Sequence, residues 1–146
     1  AICGKVFFEI TETAAITNMA DASRFIELAH GLNIGIALDD FGAGAASFGY
    51  LKSLKADKLK IDGQFIRDVI VDPLDNATVR CFVEVAKLVN MKTVAEFVDS
   101  AAVLEKITEM GVDYAQGYHL HRPEPIQNVL NMVEQLATLP AIGNDC

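Results

Sequence analysis

The 146-residue chain has no tryptophan, four prolines and three cysteines, and its twelve Lys and Arg face twenty Asp and Glu. Cys3, Cys81 and Cys146 are odd in number and far apart, with neither a CxxC pair nor zinc-ligand spacing, so no disulfide framework is expected. A net charge of -8 opposes nonspecific binding to DNA or to an anionic membrane. No apolar run approaches the roughly 18 residues of a membrane span, and no basic-then-apolar leader opens the sequence, so the expectation is a reduced, cytoplasmic domain. GxGxxG and GxxxxGK[ST] are both absent, which removes the main support for dinucleotide and nucleoside triphosphate folds. Asn76-Ala77-Thr78 fits a glycosylation triplet that means nothing without secretion. What the chain does have is 51% hydrophobic residues, enough to bury the core of one domain.

Short runs of β-formers occur at Val6 to Ile10, Ile34 to Leu38, Leu59 to Ile61, Thr93 to Ala95 and around Tyr114, each followed by a segment of helical period. Asp21 reads as a helix cap before Phe25, Ile26, Leu28 and Ala29, with Gly31 as the left-handed exit. Asn76 reads as the opening of a helix bearing Val79, Phe82, Val83, Val85, Ala86 and Leu88. Ser100 opens and Gly111 closes another around Val103, Leu104 and Ile107, and a last amphipathic helix runs from Ile126 to Leu139. Strands separated by helices predict an α/β fold with a parallel sheet, either a barrel wall or a doubly wound sheet. Five βα units do not close an eight-stranded barrel, and Ala1 to Val6 run almost directly into a strand, so strands preceding Ala1 are expected.

Every strand ends in a polar group: Glu9, then Asp39-Asp40, then Lys60 with Asp62, then Glu96, then Gln116. In a parallel sheet those ends share one face, and in a barrel they converge on one axis. Clustered carboxylates repel, and divalent magnesium or manganese relieves that repulsion through oxygen ligands. Adjacent aspartates suit a site in which one carboxylate lies between two ions. Against this stands the plain reading of solvated strand ends and helix caps, more economical for any one acid than for the set. Asp40-Phe41-Gly42 matches the kinase metal-binding triplet, but the glycine-rich loop, strand lysine and catalytic loop of a kinase are missing. Gly42 and Gly44 suit a loop that approaches a ligand, His30 sits at a helix end, and His119 and His121 follow Gln116 as either ligand contacts or surface residues.

Taken together, Glu9-Ile10-Thr11-Glu12-Thr13, Leu38-Asp39-Asp40-Phe41-Gly42-Ala43-Gly44 with Ser47, Tyr50 and Leu51, Asp57-Lys58-Leu59-Lys60-Ile61-Asp62, Ala95-Glu96-Phe97-Val98-Asp99 and Gln116-Gly117-Tyr118 resemble the EAL domain, the cyclic di-GMP phosphodiesterase family. The resemblance implies a TIM-like (β/α)8 barrel of which residues 1–139 are the last five βα units, followed by a tail over 140–146. It implies bacterial second-messenger signalling by hydrolysis of cyclic di-GMP to linear pGpG, with two magnesium or manganese ions. Glu9, Asp39, Asp40 and Glu96 then stand as metal ligands, Asp40 shared by both ions. Glu96 is also the general base, and Lys60 holds the attacking water. Gln116 and Asp99 stand around substrate, and Glu12 anchors the loop from Phe41 to Ser47. It further implies a homodimer through the loop after Asp40 and its neighbouring helix, and an attached sensor or GGDEF domain in a parent that is cytoplasmic or membrane-tethered. The Glu-Ala-Leu strand and the strand supplying an asparagine ligand do not occur in these residues, so little activity is expected of them alone. Asp99 stands where the family has Glu, and Lys55 where proline is common. The competing expectations are a catalytically silent cyclic di-GMP receptor that signals by conformation, and a plain α/β scaffold for protein association.

Overall fold

The computed structural model describes residues 3–44 and 48–138; Ser47, Leu139, the tail from Pro140 and Cys146 lie outside the described residues. Strand β1 (Phe7–Thr11) is followed by helices α1 (Glu12–Thr17) and α2 (Met19–Gly31), then β2 (Gly35–Phe41) and β3 (Lys58–Ile61). Helices α3 (Gly63–Arg67) and α4 (Pro73–Leu88) lead to β4 (Lys92–Ala95), then α5 (Ala101–Glu109), β5 (Tyr114–Ala115) and α6 (Ile126–Thr138).

The five strands form one all-parallel sheet in chain order, each paired with the next. A doubly wound sheet would reverse its order at a switch point, so this is the wall of a barrel-type fold. Alternation along the strands sorts their side chains. Ile36, Leu38, Leu59 and Ile61 are fully buried in one core with Ile26, Ala29, Val79, Phe82 and Ala86 of the helices. Glu9, Ala37, Lys58, Lys60 and Val94 line the opposite, concave face.

Two acids fasten the amino ends of the strands. Asp57, just before β3, accepts the Ile36 N–H of β2 at 2.7 Å and sits 2.9 Å from His30 Nε2. Asp113, just before β5, accepts the Thr93 N–H of β4 at 2.9 Å, the Thr93 hydroxyl at 3.1 Å and Lys92 Nζ at 2.7 Å. Both satisfy backbone donors that the ladder leaves open at a strand start.

Several local expectations are corrected. Asn18, not Asp21, caps α2 by accepting the Asp21 N–H, and the left-handed residue after it is Asn33 (φ 59°), not Gly31. Helix α4 begins at Pro73 with Asp72 as its cap, a pairing that proline's fixed φ favours. Asn76 lies inside that helix, bonded to Val69 and Arg80. Phe25, Leu28 and Leu88, read as core, are exposed; Phe25 rests on Phe8 of β1, which has β2 as its one strand partner among the described residues. The short helices α1 and α3 have no period long enough to read. Ser100 and Gly111 (φ 84°) bound α5 as expected. No helix among the described residues is long and apolar enough to cross a membrane.

Candidate active site at the carboxyl rim

Lys60, on the concave face of β3, gathers the acids of three other strands. Its Nζ lies 2.7 Å from Asp39 Oδ1, 2.9 Å from Glu96 Oε1 and 3.0 Å from Glu9 Oε1, with a side chain only 5% exposed. Burial works against the ammonium, but hydrogen bonds to Asp39, Glu96 and Glu9 outweigh it and hold the lysine pKa above its ordinary value. At neutral pH Lys60 is therefore a fixed cation and not a base.

A backbone irregularity brings in the fourth acid. The pairing of β2 with β3 shifts register between Leu38 and Phe41, and Asp40 adopts φ 54°. Strict alternation would put Phe41 on the same face as Asp39. The bulge turns Phe41 into the core, where its ring meets Phe82 edge-on at 4.9 Å, and leaves both aspartates at the rim. Oxygen atoms of Asp39, Asp40 and Glu96 all lie within 4.8 Å of one another.

With all groups ionised, four carboxylates against one ammonium leave three negative charges uncompensated. Burial first, and that excess second, act on the acids of the cluster. Burial pushes the Glu96 carboxyl up; Lys60 pulls it down by hydrogen bond and charge, and Asp39 and Asp40 push it up again. Desolvation raises Asp40 too, with Asp39, Asp62 and Glu9 adding repulsion and Lys60 opposing it. Asp39 Oδ1 is buried, and its one donor among the described residues is the Lys60 ammonium that Glu96 and Glu9 share. An all-oxygen donor set whose acids share a single ammonium, with surplus negative charge, fits a hard divalent cation.

Glu12, the first residue of α1 and 1% exposed, lies behind the cluster. Its Oε2 accepts the Gly42 N–H at 3.0 Å, where Gly42 has φ 96°, and its Oε1 accepts the Tyr50 hydroxyl. Burial, and then the hydrogen bond and charge of Glu12, raise the Tyr50 pKa far above that of an ordinary phenol, so the hydroxyl stays a donor. One buried carboxylate thus ties both ends of the loop after β2 to the end of β1.

Gln116 and Asp99 flank the cluster without joining it. They line a cleft of about 310 Å³ with Glu96, Phe97, Gly117, Tyr118 and Pro123. Backbone bonds fix this wall: the Gln116 N–H donates to Ala95 at 2.9 Å and the Val98 N–H to Gln116 at 3.0 Å. His121 lines the concave cleft and pairs with Glu124 at 2.7 Å, whereas His119 is exposed. Asp62, which the sequence reading noted but did not count, caps α3 by accepting the Gln64 N–H at 2.8 Å while repelling Asp40. Phe97 has φ 55°, and nothing in the sequence marks that except its place directly after the strand-end acid Glu96.

The sequence profile described as "EAL domain" matches residues 2–123. The chain is 40% identical over 129 residues to the cyclic di-GMP phosphodiesterase PdeB of Shewanella oneidensis, covering 88% of this chain and 15% of that protein. It is 39% identical over 132 residues to the cyclic di-GMP phosphodiesterase PdeF of Escherichia coli, covering 90% and 18%. The chain thus spans less than a fifth of these two relatives' length. Among solved structures, the PaMucR phosphodiesterase in complex with c-di-GMP superimposes with TM-score 0.80 at 35% identity, covering 87% of this chain and 51% of that one. The EAL domain of Mycobacterium smegmatis DcpA does so with TM-score 0.81 at 29% identity, covering 90% and 59%.

Proposed function

The chain belongs to the EAL domain family, and from that premise we propose that it carries most of the active site of a cyclic di-GMP phosphodiesterase that releases linear pGpG. In this reading residues 1–139 are the last five βα units of a (β/α)8 barrel whose other strands come from residues outside this chain. The one-sided pairing of β1 and β5 among the described residues supports that arrangement. The observation that carries the functional reading is the gathering of Glu9, Asp39 and Glu96 around the buried Lys60 ammonium, with Asp40 joined to Asp39 and Glu96 within 4.8 Å.

Glu9, Asp39, Asp40 and Glu96 would hold two magnesium or manganese ions. Bound there, such ions neutralise the phosphodiester and acidify a water. Lys60 supplies a permanent positive charge beside the phosphate and the attacking oxygen, preset in a largely buried site. Glu96, whose Oε1 lies 2.9 Å from Lys60 Nζ, accepts the proton of that water. Gln116 and Asp99 contact the ligand from the side, and Glu12 keeps the loop after Asp40 in place. The same loop and its neighbouring helix would form the contact of a homodimer, and a sensor or GGDEF domain would control it.

The test is turnover by the protein that contains these residues. Manganese-dependent conversion of cyclic di-GMP to pGpG, abolished by Glu96→Gln, is expected. Binding of cyclic di-GMP without turnover at saturating manganese would replace the enzyme with a receptor, and absence of binding would remove both.

A further inference from the structure

Phe97 stands one residue beyond Glu96, in a conformation that a bulky side chain rarely adopts. Its φ of 55° is left-handed, and it is 64% exposed at the rim. Such strain persists only where neighbours hold it. Here the ring lies so close to Gly63 that a Cβ on that glycine would meet it at 2.2 Å. On the other side Val98 is clamped to the strand-end turn, its N–H donating to Gln116 and its carbonyl accepting the His119 N–H at 3.1 Å. The ring is therefore an aromatic surface fixed in water, not a loose side chain.

What surrounds it narrows the occupant. Phe97 shares a cleft of about 310 Å³ with Glu96, Asp99, Gln116 and Tyr118, and Tyr118 is 67% exposed with the Arg122 guanidinium 4.7 Å from its ring centre. Asp99 makes no hydrogen bond or ion pair among the described residues, so its carboxylate and the Gln116 amide are free to meet a polar edge. A ligand that combines a flat polar-edged ring with a phosphate anion fills both halves of this arrangement, the ring beside Phe97 and the phosphate at the acidic cluster.

We infer that Phe97 is a substrate-binding residue that stacks on a purine base of the dinucleotide, setting affinity for base-bearing phosphodiesters without taking part in the chemistry. The inference rests on the phosphodiesterase reading above and adds to it the residue that recognises the base.

The experiment compares two substrates in the protein that contains these residues, with manganese present: cyclic di-GMP, and methyl p-nitrophenyl phosphate, a phosphodiester with no base. Phe97→Ala keeps the Cβ and so the backbone strain. Phe97→Leu keeps apolar bulk against Gly63 but loses the flat face, which guards against a folding defect in the first variant. Phe97→Tyr keeps the face. The expected result is a KM for cyclic di-GMP raised about tenfold or more in the Ala and Leu variants and restored in Tyr. Turnover of the base-free diester should stay unchanged in all three. An unaltered KM for cyclic di-GMP would overturn the inference, and so would an equal loss on both substrates, which would make the ring a prop for Glu96. If the unmodified protein cleaves neither substrate, the phosphodiesterase reading falls, and this inference with it.

Discussion

At the amino ends of the strands Asp57 and Asp113 accept backbone N–H groups of the neighbouring strand, with His30 and Lys92 beside them. At the carboxyl ends Glu9, Asp39 and Glu96 share the one Lys60 ammonium, and Asp40 crowds Asp39 and Glu96 from beside it. The first pair serves the fold. The second set works against it by packing like charges in a partly desolvated place. The same residue type thus has opposite effects on stability at the two ends of one sheet, and the deciding quantity is whether each acid has donors of its own or shares one with other acids.

That contrast is open to attack. The largest effect is expected from Lys60→Met. It strips from the cluster the only cation there among the described residues, so in chelator the fold should lose about 3 kcal/mol by denaturant unfolding, and cyclic di-GMP turnover should fall about 100-fold or more. Manganese should recover much of the stability, and a variant as stable as the parent in chelator would show that the acids do not repel. Asp40→Asn should split the two properties: turnover lost, yet the melting temperature in chelator raised by the equivalent of about 1 kcal/mol, because repulsion is relieved and asparagine tolerates the left-handed backbone. A lower melting temperature would contradict the comparison.

The amino end should respond the other way. Asp57→Ala should cost about 1–2 kcal/mol of stability with kcat per folded molecule unchanged, measured by paired unfolding and kinetic assays. At Asp113 desolvation raises the pKa, but hydrogen bonds from Lys92 and Thr93 outweigh it and hold the group below its ordinary value. Its contribution is present above the unfolded carboxylate pKa and disappears as pH falls toward the folded one. Asp113→Asn should therefore destabilise at neutral pH and make unfolding less steeply dependent on pH below about 4. The smallest effect is expected from Tyr50→Phe, about 1 kcal/mol, with a modest loss of turnover if the loop after Asp40 loosens.

The sequence showed which acids end the strands, because β-formers followed by a carboxylate form a repeating pattern, and it showed the parallel βα order. It did not show the bulge. Alternation places Phe41 beside Asp39, and a tertiary preference, a buried aromatic cluster with Phe48 and Phe82, overrides that period. Helix starts were misread where one polar residue stands near another: Asn18 and Asp72 hold the caps, while Asp21 and Asn76 lie inside the first turn. The exposed Phe25, Leu28 and Leu88 fit a core pattern as well as buried residues do, since hydropathy does not reveal which flank of a helix has a neighbour. Glu12 was legible as a loop anchor from its resemblance alone; that Tyr50 completes its bonding follows from three-dimensional proximity across 38 positions.

The left-handed turn at Asp40 also has a consequence over generations. Glycine and asparagine occupy that backbone more readily than aspartate and would calm the crowded charge. If the chain serves the phosphodiesterase proposed for it, a lineage released from the need to cut its ligand would drift toward those residues first, gaining robustness with each step. Position 40 is thus the place to look, in any set of descendants, for the moment when cleavage ceased to be worth its strain.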